Sequence, residues 1–369
     1  MISVFSPRIS FKDKLAVFNA INKKNISGTS LIVNEFESKV SKRFDRNYGV
    51  AVANGSLALD CALQLIDLKE GDEVIIPSFT IVSGLSAILR TKATPVFCDV
   101  DESTWNMRLD HVEEKYTTKT KAVILVHTYG LPAEGKKIED FCNKNDLFLI
   151  EDAAEAHGQN DEEKKCGSFG EISTLSFYAN KHITTGEGGM VLVNSEELDK
   201  KARQIRNLDF TKENRFNSDN MYWNYRLGGL QSALGISQLN SLEKVISEKI
   251  KQGSYYLEIL NEYKDLFSLP LKDIRSSKNH FWVFGVTINR ENIRNKVINR
   301  LEEKGIETRP FFWPLHKQNF YSGNNSNLSL NVCENLGKNG LYIPLGSHIN
   351  RKIQEEVVGK LVETTREFL

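Results

Sequence analysis

Hydrophobic and polar positions follow two different periods between residue 49 and about residue 193. Short apolar runs predict strands, and the longer stretches with helical spacing between them predict helices. The predicted strands are 49–53, 73–77, 95–98, 122–127, 147–151, 174–178 and 190–193, and the predicted helices are about 56–68, 80–91, 108–114 and 135–144. This alternation indicates an α/β fold with a mostly parallel sheet covered on both faces.

The flanking regions have other patterns. Two helical patterns precede the sheet within residues 11–46, and 195–260 is predicted to be mainly helical. The remainder predicts strands near 281–288 and 306–312, helices near 291–304 and 350–368, and a polar surface loop at 324–329. We therefore expect a large domain over 1–245 and a smaller α+β domain over 246–369.

Lys181 lies in a turn rich in Thr and Gly between two apolar runs. A lysine in this position is either an ion-pair partner of Glu187 or Asp152, or a reactive amine. Desolvation lowers the pKa of an amine, which frees its lone pair to form a Schiff base with a carbonyl. Spacing alone leaves both interpretations open.

Two upstream segments favour the reactive amine. Asp152 follows an apolar run at 147–151, and the carboxyl end of a parallel strand faces the crevice where ligands bind. Residues 49–59 predict a strand, a glycine turn and a helix start with Ser56 as its cap, and such helix N-termini attract phosphate. A phosphate site, an acid and a lysine are what pyridoxal phosphate (PLP) needs, because the acid keeps the pyridine nitrogen protonated.

The chain resembles the DegT/DnrJ/EryC1/StrS family of sugar-nucleotide aminotransferases, which are fold-type-I PLP enzymes. The matching segments occur in family order over nearly the whole chain, at 54–59, 71–77, 94–100, 150–158, 167–170, 176–190, 224–226 and 309–316. The resemblance implies an aspartate-aminotransferase-like fold with a large PLP domain and a smaller C-terminal α+β domain.

The resemblance assigns cofactor roles to several residues. Lys181 is expected to form the internal aldimine and to shuttle the proton, Asp152 to bind the pyridinium nitrogen, and Glu155 to lie near the ring hydroxyl. His157 is equally compatible with the pocket and with the core. Ile81 stands where the family often has an aromatic residue stacking on the ring.

The resemblance also implies a phosphate site and a homodimer. Ser56, the Leu57 amide and Ser176 are expected to hold the phosphate, together with Gly55 in the preceding turn. Asn224 is expected to reach the phosphate of the partner subunit, which makes the dimer part of the active site.

Substrate contacts are assigned to cationic side chains, because an amino donor carries carboxylates and a nucleotide sugar carries a diphosphate. The candidates are Arg226, Arg309 and His316, each of which has an ordinary structural alternative. His182 follows the lysine directly, so it either contacts substrate or packs in the core.

The implied activity is transfer of an amino group from L-glutamate to a nucleotide-linked 4-keto-6-deoxyhexose, with the cofactor alternating between PLP and pyridoxamine phosphate. The product would be a 4-amino-4,6-dideoxy sugar nucleotide for O-antigen or another surface polysaccharide. The alternatives are a 3-keto sugar-nucleotide aminotransferase, a PLP- or PMP-dependent sugar dehydratase, and a non-catalytic regulator on the same fold.

Charge and composition limit the classes of binding partner that we expect. The 48 basic and 48 acidic residues balance, which favours neither nucleic acid nor an anionic membrane. No apolar run reaches the roughly 18 residues of a membrane span, and the N-terminus does not read as a signal peptide. The five scattered cysteines form no disulfide or metal pattern. We therefore expect a cytoplasmic protein without a metal site.

Overall fold

The computed structural model describes residues 1–211, 215–321 and 328–369. Its α-helices are α1 Phe11–Asn22, α2 Leu31–Arg43, α3 Gly55–Leu65, α4 Ser83–Arg90, α5 Leu109–Lys115, α6 Gly135–Lys144, α7 Glu196–Arg206, α8 Gly229–Leu239, α9 Leu242–Leu260, α10 Arg294–Glu303, α11 Asn331–Asn339 and α12 Arg351–Arg366. Short 3-10 helices lie at Thr128–Gly130, Asn261–Tyr263 and Leu315–Lys317. Most of the predicted loop at 324–329 lies outside the described residues.

The strands are β1 Tyr48–Val52, β2 Glu73–Pro77, β3 Thr94–Cys98, β4 Thr120–Val126, β5 Phe148–Asp152, β6 Asn160–Asp161, β7 Lys164–Lys165, β8 Ile172–Ser176, β9 Gly189–Val193, β10 Phe267–Ser268, β11 Asp273–Ile274, β12 Ser277–Lys278, β13 Phe284–Ile288, β14 Arg309–Pro310 and β15 Gly340–Ile343. Seven of them form the main sheet in the order β1-β9-β8-β5-β4-β2-β3. The predicted α/β class and mostly parallel sheet are confirmed.

The central strands are buried because the sheet is covered on both faces. All five residues of β8 and of β9 are buried, as expected for strands between two layers of helices. β9 is antiparallel to β8 and to β1. The loop from β8 to β9 contains no helix that could make the crossover of a parallel pair. Lys181 lies in this loop.

A second, antiparallel sheet has the order β10-β13-β15-β14. Its core includes buried residues of β13 and β15 and of the helices α9, α10 and α12. The predicted division at residue 245/246 falls within α9, and the domain boundary stays a prediction.

Several predicted elements differ from the structure. The predicted strand 174–178 is instead Ile172–Ser176, because the chain turns after Ser176. The predicted helical region 195–260 is interrupted between α7 and α8. α11 and β15 were not predicted, since β15 is too short for a periodic signal. None of the helices within the described residues is long and apolar enough to cross a membrane.

Candidate active site

A cavity of about 430 Å³ opens at the carboxyl end of the main sheet. Thr80 just beyond β2, Val126 at the end of β4, Asp152 at the end of β5 and Ser176 at the end of β8 all line it. Because the carboxyl ends of parallel strands meet at one edge, residues far apart in sequence converge there.

Lys181 contributes its amine to this cavity, and its side chain is only 9% exposed. Nζ lies 3.5 Å from Glu155 Oε1 and 3.6 Å from the ring centroid of Trp282. Burial lowers the pKa of Lys181 despite the opposing charges of Glu155 and Asp152. Of the two ion-pair partners expected from the sequence, Glu187 and Asp152, neither is confirmed.

Asp152 is buried, with an exposure of 5%. Burial raises its pKa, although the Ala154 amide and the charge of Lys181 oppose the rise. The Ala154 amide donates to Oδ1 at 3.1 Å. The Asp152 carboxyl can therefore accept further hydrogen bonds from a ligand in the cavity.

Glu155 lies between Lys181 and the backbone of Tyr129. Its Oε2 accepts from the Tyr129 amide at 2.9 Å. Burial raises the pKa of Glu155 to about 7, with the charge of Lys181 opposing the rise. Glu155 and Lys181 thus form a buried pair in which the pKa of the acid is raised and that of the amine is lowered.

The N-terminus of α3 borders the same cavity. Its cap is Asn54, whose side chain accepts from the Leu57 amide at 2.9 Å, so the prediction of Ser56 as the cap is wrong. The Ser56 hydroxyl instead contacts the Ser83 hydroxyl at 2.7 Å. The Leu57 amide is thus engaged by Asn54, and its predicted use for phosphate stays a prediction.

The remaining groups fit the predicted cofactor. Gly55 and Ser56 supply the first two amides of α3, and these have no acceptor in the described part of the chain. A Cβ at Gly55 would lie 2.8 Å from Ser176 Cβ, so glycine permits this close approach. An anion site, a buried acid and a desolvated amine therefore surround one cavity of the size that small ligands occupy.

Three aromatic residues that the sequence reasoning missed also line the cavity. Trp282, Phe312 and Tyr342 come from the C-terminal part of the chain and line the cavity. Phe312 lies in segment 309–316, which resembles the family, so the sequence contained a signal for its role. No sequence signal pointed to Trp282 or Tyr342. Ile81 also lines the cavity and is 43% exposed.

His182 does not line this cavity, although it follows Lys181 directly. It is 3% exposed, and its Nε2 lies 3.3 Å from the His280 carbonyl oxygen. Burial lowers its pKa well below the usual value. His157 is also fully buried and packs beside it. The ring of His182 packs in the core, and its predicted contact with substrate stays a prediction.

His316 is likewise fully buried. Its Nδ1 lies 2.6 Å from the Ser78 hydroxyl, and its Nε2 lies 3.3 Å from Glu334 Oε1. These contacts join the end of β2 to α11. His316 therefore makes a structural link, and its predicted substrate contact stays a prediction.

The other predicted substrate and partner residues lie outside the cavity. Arg226 bonds to Asn207, while the exposed Arg309 pairs with Glu307 and lies opposite Tyr342 in the sheet register. Asn224 is exposed in a surface groove that shares Ser56 and Ser83 with the cavity. Their functional roles stay predictions.

Comparison with known proteins identifies close relatives. The model of the DegT/DnrJ/EryC1/StrS aminotransferase family matches residues 9–362. GDP-perosamine synthase of Escherichia coli O157:H7 is 34% identical, with 93% of each chain covered. A UDP-N-acetyl-3-dehydro-alpha-D-glucosamine 3-aminotransferase of Acidithiobacillus ferrooxidans is 31% identical over 87% of this chain and 84% of its own. The solved aminotransferase TlmJ of Streptoalloteichus hindustanus superimposes with a TM-score of 0.92 at 26% identity, with both chains covered fully.

Proposed function

Because the chain belongs to the DegT/DnrJ/EryC1/StrS aminotransferase family, a PLP-dependent family of sugar aminotransferases, we propose that it acts on a nucleotide-linked 4-keto-6-deoxyhexose. L-Glutamate is the proposed amino donor, and the product is a 4-amino-4,6-dideoxy sugar nucleotide for surface polysaccharide synthesis. The observation that carries the choice is the similarity to a GDP-perosamine synthase along 93% of both chains.

The bound cofactor would supply an electron sink for the carbon that loses or gains a proton. Lys181 is the proposed general base and acid, since among the residues that the structure describes only its amine combines a lowered pKa with a place in the cavity. Glu155 Oε1 lies 3.5 Å from this amine, and the pKa of Glu155 is raised to about 7. The ionised acid can stabilise the protonated amine, and the protonated acid can accompany the neutral amine.

Asp152 is the proposed partner of the pyridinium nitrogen, and a cationic nitrogen there would lower the raised pKa of this acid. The phosphate is assigned to the amides of Gly55 and Ser56 and the hydroxyl of Ser176. This choice replaces the Leu57 amide, which is already bonded to Asn54.

Aromatic side chains are proposed to exclude water from the reacting atoms. Trp282, Phe312 and Tyr342 line the cavity together with Lys181. Ile81 offers apolar contact to the ring where an aromatic residue was expected from the resemblance.

A homodimer in the cytoplasm is part of the proposal. Asn224 is exposed in the groove next to its own cavity, so a second copy seated on that groove would find it accessible. Arg226 and Arg309 stay candidates for carboxylate or diphosphate contacts. Asn224→Ala should weaken cofactor retention without changing the fold, measured by the fraction of cofactor kept after gel filtration.

The first test is an absorbance spectrum of the purified protein with and without L-glutamate. We expect a visible band that moves to shorter wavelength on addition of glutamate, and no such band in Lys181→Ala. A wild-type protein that stays colourless with added PLP would contradict the assignment of Lys181.

The second test is the choice of sugar. Steady-state turnover with 4-keto and 3-keto sugar nucleotides separates the proposal from its nearest alternative. The similarity to a 3-aminotransferase supports that alternative, although it covers less of this chain. Turnover with the 3-keto substrate only would overturn the C-4 assignment and leave the aminotransferase activity standing.

A further inference from the structure

A second buried amine, that of Lys249 on α9, lies behind Lys181. Lys249 is 8% exposed, and its Nζ donates to the Trp282 carbonyl oxygen at 2.7 Å. It forms no ion pair with any residue in the described ranges. An ammonium buried without a counter-charge is costly, and the hydrogen bond to the Trp282 carbonyl is a polar contact that offsets part of this cost.

Trp282 connects the two amines. Its carbonyl accepts from Lys249, and its ring centroid lies 3.6 Å from Lys181 Nζ. The indole Nε1 also donates to the Asn180 carbonyl at 3.1 Å, and the Trp282 amide donates to the Tyr129 carbonyl at 3.2 Å. The residue is therefore held from three sides, and one of them is Lys249.

We propose that Lys249 is a positioning residue whose hydrogen bond to the Trp282 carbonyl holds the indole face against the Lys181 amine. An indole face stabilises a nearby cation, so its position sets how readily the nitrogen of Lys181 carries a proton. The inference rests on the role proposed for Lys181, but not on the identity of the sugar.

A direct charge effect is the competing explanation. Burial, and then the charge of Lys181, lower the pKa of Lys249 to about 7, so the two amines oppose each other's protonation. Burial keeps the neighbouring imidazoles neutral, with the pKa of His157 lowered to about 3 and that of His280 to about 4. When Lys249 loses its amine, the two explanations predict shifts of opposite sign in the pKa of the Lys181 nitrogen.

The experiment titrates the visible absorbance of the cofactor bound to the full chain against pH. Losing the indole face removes an attraction for the protonated nitrogen, so Trp282→Leu should lower the midpoint by about half to one pH unit. Lys249→Met should lower it in the same direction, and adding Lys249→Met to Trp282→Leu should change nothing further. A higher midpoint in Lys249→Met, or an equal shift in both backgrounds, overturns the proposal.

Lys249→Gln is the second variant, because it keeps a donor and loses the charge. Positioning predicts a midpoint close to that of the wild type, whereas a charge effect predicts a rise, which would also overturn the proposal. Failure of the 4-keto substrate leaves this readout unaffected, since no sugar is present. A wild type without the visible band would contradict the role of Lys181 as well as this inference.

Discussion

Glu151 and Asp152 are neighbours at the end of β5, yet their surroundings are opposite. Successive side chains of a strand point to opposite faces, so one carboxylate enters the core and the other enters the cavity. Both are buried, but burial alone does not decide their chemistry. Hydrogen-bond partners therefore determine how the pKa values of these two adjacent acids differ.

Glu151 is fully satisfied. Its oxygens accept from His127 Nε2 at 2.8 Å, from the amides of Gly167 and Phe169 at 2.6 and 2.8 Å, and from the Ser173 hydroxyl at 2.8 Å. Burial by itself would raise the pKa of Glu151, but the hydrogen bond and charge of His127, with further partners, lower it overall. Glu151 thus holds the 167–170 turn against β5.

Asp152 has the opposite balance, because burial outweighs its few partners and raises its pKa. A carboxylate without enough donors is poised to accept a new one, and the cavity is where that donor would enter. Unfilled hydrogen-bonding capacity, rather than burial, therefore separates a ligand-binding acid from a structural one.

The largest expected effect comes from the structural acid. Glu151→Gln presents an amide NH₂ to groups that are all donors and leaves Arg46, whose NH2 lies 4.0 Å from Glu151, without its counter-charge. We expect a loss of about 3–5 kcal/mol in the free energy of unfolding, measured by chemical denaturation. Glu171→Gln is the control, because Glu171 is partly exposed and accepts one backbone hydrogen bond, from the Leu149 amide at 2.9 Å. Unchanged stability would show that the network contributes nothing.

Asp152→Asn should reverse this pattern. Asparagine keeps the size of the side chain but carries no charge to hold a protonated nitrogen. We expect kcat to fall about 10²–10³-fold while the free energy of unfolding changes little. A variant that unfolds as readily as Glu151→Gln would place Asp152 among the structural acids instead.

The pH dependence of stability tests the third acid, Glu155. Its pKa in the folded protein, about 7, exceeds the ordinary value of 4.5, so the folded state holds the proton longer than the unfolded state. The stabilisation is complete below pH 4.5 and is lost as the pH rises through about 7.

Glu155→Gln should remove this loss. In the cofactor-free protein, the stability difference between pH 4.5 and pH 8 should shrink by about 2–3 kcal/mol relative to the wild type. Thermal or chemical unfolding at the two pH values measures it. An identical pH dependence in both proteins would show that Glu155 does not keep its proton in the fold.

The three acids Glu151, Asp152 and Glu155 show which features the sequence predicts and which it does not. The apolar run before Asp152 predicted the strand end, and the strand end predicted the crevice. No periodicity reports which donors surround Glu151, because Gly167 and Ser173 approach it only through tertiary contacts. The same limit explains Trp282, which reaches Lys181 from the segment just before β13. It also explains His316, whose partner Ser78 lies 238 residues away in sequence.

The smallest expected effect concerns Ile81 on the open side of the cavity, where the resemblance led us to expect an aromatic ring. Ile81 is 43% exposed and lines the cavity without a hydrogen-bonding role. Ile81→Phe should strengthen cofactor binding about 2–10-fold, because a stacked aromatic pair adds about 0.5–1.5 kcal/mol beyond the area it buries. Titration of the cofactor-free protein with PLP measures the dissociation constant, and Val82→Phe beside it is the control. Weaker binding in Ile81→Phe would mean that the neighbouring Phe312 and Tyr342 leave no room for a ring, so this chain would use aliphatic contact in place of stacking.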